Sequence, residues 1–269
     1  MKKKTNFVLA LLIAVLATGF TSCGSDDHNM NEELQRTETI SSKDPEGTIV
    51  LNMVSAAKDN YYDFGGTNVH VDEANNLEGY NSNAQFVALG KVNGLSDVTK
   101  IPTTGWARRV AVVPGTGYVM RYLSGNREII FTRIFVVSYL ETASSVGSEY
   151  GVSGISVGSN SGAVIKYQTP FELPIELEST TVRAKAVGDA YDYYSHYQYT
   201  TFDVTLKLKQ LSSFEIDSDF RSCFIKSVNT DGSITVEFTA VWMGTDLYSG
   251  NIRIENSIGT TTVLVYLDE

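Results

Sequence analysis

Two stretches near the C-terminal end of this 269-residue chain decide its fold class. In the first, Phe202, Val204, Leu206 and Leu208 face one way, against Asp203, Thr205 and Lys207. In the second, Ile234, Val236, Phe238, Ala240 and Trp242 alternate with Thr235, Glu237 and Thr239. An apolar period of two marks a strand with one face on a core. Ile252 and Ile254 repeat it between Asn251, Arg253 and Glu255, and turn signals at Asp231-Gly232 and Ser257-Ile258-Gly259 punctuate the runs. No stretch carries a convincing apolar period of 3.6. The chain is expected to be all-β, with residues 171–269 forming an immunoglobulin-like sandwich of about 100 residues.

Residues 47–170 read as a second β domain, a sandwich or a barrel. Ile49, Leu51 and Met53 alternate with Val50, Asn52 and Val54, and Gly65-Gly66 supplies a hairpin turn before Asn68-Val69-His70-Val71. Further strands are expected at 85–92, 109–113, 117–123 and 163–168, with loops at Asn75-Asn76 and 81–83 and a turn at Pro114-Gly115-Thr116-Gly117. Within 128–140, Ile129-Ile130-Phe131 and Ile134-Phe135-Val136-Val137 are apolar at successive positions, which predicts a central strand covered on both faces. Residues 144–162 are rich in glycine and serine and read as a long loop. Pro170 and Pro174 mark the expected boundary between the two domains.

The N-terminus is of another kind. Lys2, Lys3 and Lys4 precede an apolar run from Phe7 to Ala17, and the small residues Thr21-Ser22 stand just before Cys23. A basic start, a short apolar segment and small residues before a cut describe a secretory signal over residues 1–22. With Cys23 at the cut, the segment resembles a bacterial lipoprotein signal, which implies acylation of Cys23 and a lipid anchor. Gly24-Ser25-Asp26-Asp27 is similar to the acidic export tag of Bacteroidetes lipoproteins, which implies display on the outer face of the outer membrane. Residues 23–46 are polar and mostly charged and read as a flexible tether.

Charge and cysteine usage narrow the partners. Without the three signal lysines the chain keeps 18 of its 21 Lys and Arg against 31 Asp and Glu, a net charge of −13. That balance argues against nucleic acid and against anionic membrane surfaces as general partners. The two cysteines are Cys23 and Cys223; an acylated Cys23 cannot pair, and Cys223, beside Phe224-Ile225, reads as a small buried hydrophobe.

Candidate chemistry is sparse. The three histidines, His28, His70 and His196, have no partner at metal-ligand spacing, and no dinucleotide, phosphate-loop or nucleophile-elbow motif occurs, so neither cofactor nor metal is expected. Glu215, Asp217 and Asp219 alternate on one face of an extended segment, a solvated acidic face or a calcium site. Tyr193, Tyr197 and Tyr199 lie in a tyrosine run with His196. Parity with Asp203 turns Tyr197 and Tyr199 away from the core, about 7 Å apart. Exposed rings there would stack on a neutral sugar; alternatively they pack on a neighbouring sheet. Lys100, Arg108, Arg109, Arg121, Arg127 and Arg133 stand against the single acid Glu128 between residues 98 and 140, a basic excess suited to an anionic glycan or neutralised by acids elsewhere. Trp106, beside Arg108 and Arg109, is either a plug at the edge of a core or a ligand platform.

Two resemblances bear on setting. Gly232 through Thr239, Ser249 through Ile254 and Thr262 through Tyr266 are similar to the last strands of the BACON-type sandwich of Bacteroidetes surface proteins. Leu89 through Leu95, Lys100-Ile101-Pro102, Gly105-Trp106 and Pro114 through Val119 resemble a domain of unknown function in gut Bacteroidetes lipoproteins. They imply the setting and no activity; with the tyrosine run and the basic excess, the favoured expectation is a surface-anchored, non-catalytic lipoprotein that binds glycan or host matrix. The alternative is a subunit of a fimbria-like surface assembly, processed at Arg36 and accepting a partner protein's strand at a freed edge. A glycan-processing enzyme stands third.

Overall fold

Strand β8 (Glu128–Glu141) is the hub of the architecture. Its two faces feed two different cores: Ile129 and Phe131 enter one, and Ile130, Ile134 and Val136 enter the other. Successive apolar side chains are what a strand covered on both faces requires, and the central strand expected from the sequence is this one. Along one edge β8 pairs with β7 (Thr116–Ser124), and along the other with β12 (Phe214–Ser218) at its start and β9 (Asn160–Gln168) from Arg133 onward. The computed structural model describes residues 46–53, 61–64, 66–80, 83–141, 160–192, 197–241 and 249–268, which all fall within the compact unit Glu38–Glu269.

From this hub one twelve-stranded sheet extends both ways. Beyond β7 lies β5 (Gln85–Lys91), and beyond β9 lies β1 (Glu46–Asn52). From β12 the order continues through β15 (Ser249–Asn256), β16 (Gly259–Asp268), β10 (Thr181–Asp192), β11 (Tyr197–Leu206), β14 (Ile234–Val241) and β13 (Arg221–Val228). The pairing of β10 with β16 is parallel and the others are antiparallel. A second sheet holds β2 (Tyr62–Asp63), β3 (Asn68–Val71), β4 (Asn76–Tyr80) and β6 (Arg109–Ala111). The sole helical element among the described residues is a 3-10 turn at Leu95–Asp97, so the all-β expectation holds.

Alternation positions the core. Phe202, Val204, Leu206, Ile234, Val236, Phe238, Ile252 and Ile254 are all buried, each on the face the sequence assigns. The same core takes Val87, Val119, Ile129 and Phe131 from before residue 170, so apolar contact runs across the Pro170 to Pro174 stretch. Buried polar groups reinforce that contact. Ser213 Oγ accepts the Phe131 N–H at 2.8 Å and donates to the Phe171 carbonyl at 3.0 Å, and Asn256 Nδ2 donates to the Leu173 carbonyl at 3.0 Å. Each hydrogen bond here satisfies a group that would otherwise be desolvated without a partner. Cys223 is buried as expected, and burial raises its thiol pKa.

Several strands differ from the sequence reading. Residues 76–80, expected to begin as loop, form β4, because Asp72 accepts the Ala74 and Asn76 backbone N–H groups and closes a tight turn that sends the chain back along β3. Strands β10 and β13 carry weaker alternation than their neighbours and are fixed by pairing, whereas the short β12 alternates cleanly. The tether's last expected residue, Glu46, already pairs with Gln168 in β1. The loop expected over 144–162 gives way to β9 at Asn160, and the rest of it, like Trp242, lies outside the described residues.

Candidate functional site

Strand β7 carries an arginine where its pattern asks for an apolar residue. Val119, Arg121 and Leu123 share the face that looks into the first core, and Arg121 is only 8% exposed. Its strand neighbours prepare its surroundings. Gln85 of β5 lies opposite it on one side and Phe131 of β8 on the other. Gln85 Oε1 accepts from both Nε, at 2.9 Å, and Nη2, at 2.7 Å. A bridge between Phe86 and Ala107, with hydrogen bonds of 2.7 and 2.8 Å in both directions, fixes the chain on either side of Ala107 and so places Trp106 and Arg108. The Arg121 guanidinium lies 4.4 Å from the Trp106 ring centre, and that ring sits 6.0 Å from Phe131.

A cavity of about 270 Å³ opens here. Its polar wall is Asn83, Gln85, Arg108 and Arg121, and its apolar wall includes Leu123, Ile129 and Val228. Tyr122 also borders it, with its hydroxyl committed to the Phe64 carbonyl at 2.9 Å.

Electrostatics distinguish Arg121 from the other cations. Its Nη1 is buried without a hydrogen-bond partner, and it has no ion pair among the described residues. Burial alone pushes its pKa down to about 10, which still leaves it charged at neutral pH. A buried charge normally requires a counter-ion and full hydrogen bonding. Here the acceptor is a neutral amide, and a second cation, the exposed Arg108, stands on the same cavity wall. Two cations and two amides beside an apolar wall have the chemistry to accept an anion with an apolar body.

The basic excess seen in the sequence therefore divides. Arg109 turns to the other sheet, where its Nη2 donates to Glu78 Oε1 at 2.6 Å and its Nε lies 3.9 Å from Asp72, so its pKa is raised, foremost by Glu78. Arg127 lies 3.9 Å from Asp217. Arg133 is bonded to Gln168 at 2.6 Å and to the Val98 carbonyl at 3.0 Å, over the Phe171 ring. Of the six, Arg108 and Arg121 come together at the cavity.

The remaining candidates are sorted by the same geometry. Trp106 plugs the core edge, and one of its faces is taken by Arg121, so the platform reading falls. Tyr199 is 5% exposed, against the expectation of an open ring. The guanidinium of Arg221, on the edge strand β13, covers it at 4.7 Å and donates to its hydroxyl. The side chain of Tyr197, and all of Tyr193 and His196, lie outside the described residues, as do Cys23, Gly24, Ser25, Asp26, Asp27 and Arg36. Asp217 pairs with Arg253 at 3.3 Å and Asp219 with Asn251 at 2.8 Å, and no metal-binding group of acids, histidines or cysteines occurs among the described residues. Gln85, Asn83 and Val228 were not among the expected site residues. The available signal was Arg121 itself, a charge at core parity inside an apolar strand.

Residues 50–170 match a protein family described as a domain of unknown function (DUF5036). Every cavity residue except Val228 falls inside that span. No curated protein and no solved structure matches the chain.

Proposed function

We propose that this chain is a non-catalytic, lipid-anchored binding protein of a Bacteroidetes cell surface, with its C-terminal strands forming a BACON-like sandwich, and that it holds an anionic glycan at the Arg121 cavity. The observation that carries the ligand is Arg121: nine-tenths buried, charged, bonded to a neutral glutamine and without an acid among the described residues. An anion entering from solvent supplies the counter-charge that the fold omits. Arg108, exposed at the same wall, adds attraction at the entrance. The anchor rests on the signal, Cys23 and the Gly24-Ser25-Asp26-Asp27 tag. Each methylene of an acyl chain buried in a bilayer contributes about 0.8 kcal/mol.

Anchoring has a direct test. Cys23→Ser should move the protein from the membrane to the soluble fraction, and deleting Ser25-Asp26-Asp27 should leave it anchored but hidden from external protease. A Cys23→Ser protein that stays with the membrane contradicts the lipoprotein reading.

Ligand class is tested by screening the protein on neutral, carboxylated and sulfated glycan arrays at low and high salt. Binding to acidic glycans, weakening as salt rises, is the expected result, since exposed charges are screened beyond about 8 Å at physiological salt. Arg108→Glu should weaken it by about tenfold or more. Arg109→Ala should leave it within about twofold, because Arg109 is already neutralised by Glu78 and Asp72. No signal above a denatured control would remove the glycan reading. The assembly reading then takes first place, on the position of β1 at the sheet edge, where it pairs with β9 alone among the described residues.

A further inference from the structure

We infer that the anion cavity is completed from outside the family domain: Val228 supplies part of its wall, and Gly232 seats the loop that carries Trp106 and Arg108. This deepens the anionic-glycan reading and rests on it. Val228 ends the edge strand β13 and is half-buried against the first core. The turn between β7 and β8 brings it there by offering two carbonyls to the later strands. Asn126 accepts the Ile225 N–H of β13 at 2.7 Å, and Arg127 accepts the Ile216 N–H of β12 at 2.9 Å. Strand β7 holds Arg121 and Leu123, and β8 holds Ile129. The turn that joins those two strands therefore also ties the strand of Val228 to them.

Beyond Val228 the chain closes a tight turn. The Asn229 N–H donates to the Ser233 carbonyl at 2.8 Å and the Gly232 N–H to the Asn229 carbonyl at 3.0 Å. Asp231 Oδ1 accepts the Ser233 N–H at 2.9 Å and its hydroxyl at 2.6 Å. Gly232, with φ +82°, lies directly against Thr103: an added Cβ would stand 2.6 Å from Thr103 Cγ2 and 2.9 Å from its Cβ. Glycine meets both demands, a left-handed backbone and no side chain at the contact. Thr103 belongs to the connection between Ile101, buried in the first core, and Ala107, bridged to Phe86. With both ends held, the contact with Gly232 bears on the middle of that connection. Trp106 and Arg108 stand on either side of Ala107, one against Arg121 and the other on the cavity wall. Gly232 is thus a positioning residue that acts through Thr103.

The test is isothermal titration of the purified protein at low salt with a heparin tetrasaccharide, which carries both carboxylates and sulfates. The strongest acidic array glycan replaces it if that binds more tightly. Val228→Glu adds an acid to a wall that holds two cations. It should bind at least about tenfold more weakly than Val228→Gln, its neutral counterpart of the same shape, because the new carboxylate competes for the cations and repels the anion. A packing role alone would not separate the two. Gly232→Ala should weaken binding by about fivefold or more, and adding Thr103→Gly should recover most of that loss by removing both contacted atoms. The backbone strain at position 232 stays in the double variant, so its stability should remain below wild type while binding returns. Circular dichroism confirms that each variant folds. Equal affinity of Val228→Glu and Val228→Gln overturns the inference and leaves the anionic site standing. Gly232→Ala at wild-type affinity, or a loss that Thr103→Gly leaves in place, does the same. A wild-type protein that binds neither the tetrasaccharide nor any acidic array glycan removes the broader reading with it.

Discussion

Phe238→Ala is expected to destabilise the protein by about 3 to 5 kcal/mol in denaturant unfolding. Phe238 is fully buried on β14 and stacked on both sides. The Phe202 ring lies 5.7 Å away at 15° and the Phe220 ring 4.1 Å away at 22°. Neither neighbour can fill the space cheaply. Phe202 is held in register opposite Phe238 by the β11–β14 ladder. The tip of the Phe220 ring is pressed against Gly250, where an added Cβ would stand 2.5 Å from Cζ. The lost ring therefore leaves a cavity, and the cavity adds to the lost transfer free energy. A loss below about 1 kcal/mol would mean that β14 does not present this face to the core.

Arg121→Met is expected to have the opposite sign: a gain of about 1 to 3 kcal/mol in stability together with loss of anion binding. Methionine keeps an apolar stem and removes a buried charge that has no acid partner among the described residues. The pH dependence follows from the depressed pKa. Below about 10 Arg121 is charged in both folded and unfolded protein, and its desolvation cost is present in full. As pH rises through about 10 the folded form releases its proton before the unfolded one, so wild-type stability gains on the variant and the difference narrows. Denaturant melts of both proteins at pH 7 and pH 10.5 measure this. A variant less stable than wild type at pH 7 would assign Arg121 a structural role.

The two predictions stand at opposite ends of what the sequence made legible. Phe238 could be placed because strand parity is local: its neighbours two residues either way show the face. The same holds for the central strand β8, whose doubly covered stretch is visible as two runs of successive apolar residues, Ile129 to Phe131 and Ile134 to Val137. Sheet order is not local. The contact of β8 with β12, and the parallel contact of β10 with β16, join segments far apart in the chain. Strand β10 also alternates alanine and valine with charged residues, which gives less contrast than a run of isoleucine and phenylalanine.

The site follows the same division. Basic residues between 98 and 140 could be counted, but which of them keep an acid depends on cross-strand partners. Arg108 and Arg109 are adjacent and face different surroundings, one the cavity and the other Glu78. Gln85, the acceptor for Arg121 Nε and Nη2, is 36 residues away. Tyr199 shows how parity can be right and exposure wrong: Thr201, two residues on, is half-buried, while Tyr199 itself is covered by an arginine from the next strand but one.

Trp106 offers the most direct measurement of the central claim, because it touches Arg121 and is one of two tryptophans in the chain. With Trp242→Phe in place it becomes the sole reporter. Titrating that protein with glucuronate, or with the acidic glycan that scores highest on the array, should give a saturable change in tryptophan emission. Its midpoint should rise with salt, and the change should vanish when Arg121→Met is added. Calorimetric binding with unchanged Trp106 emission, or the same change without Arg121, would place the ligand elsewhere and contradict the account.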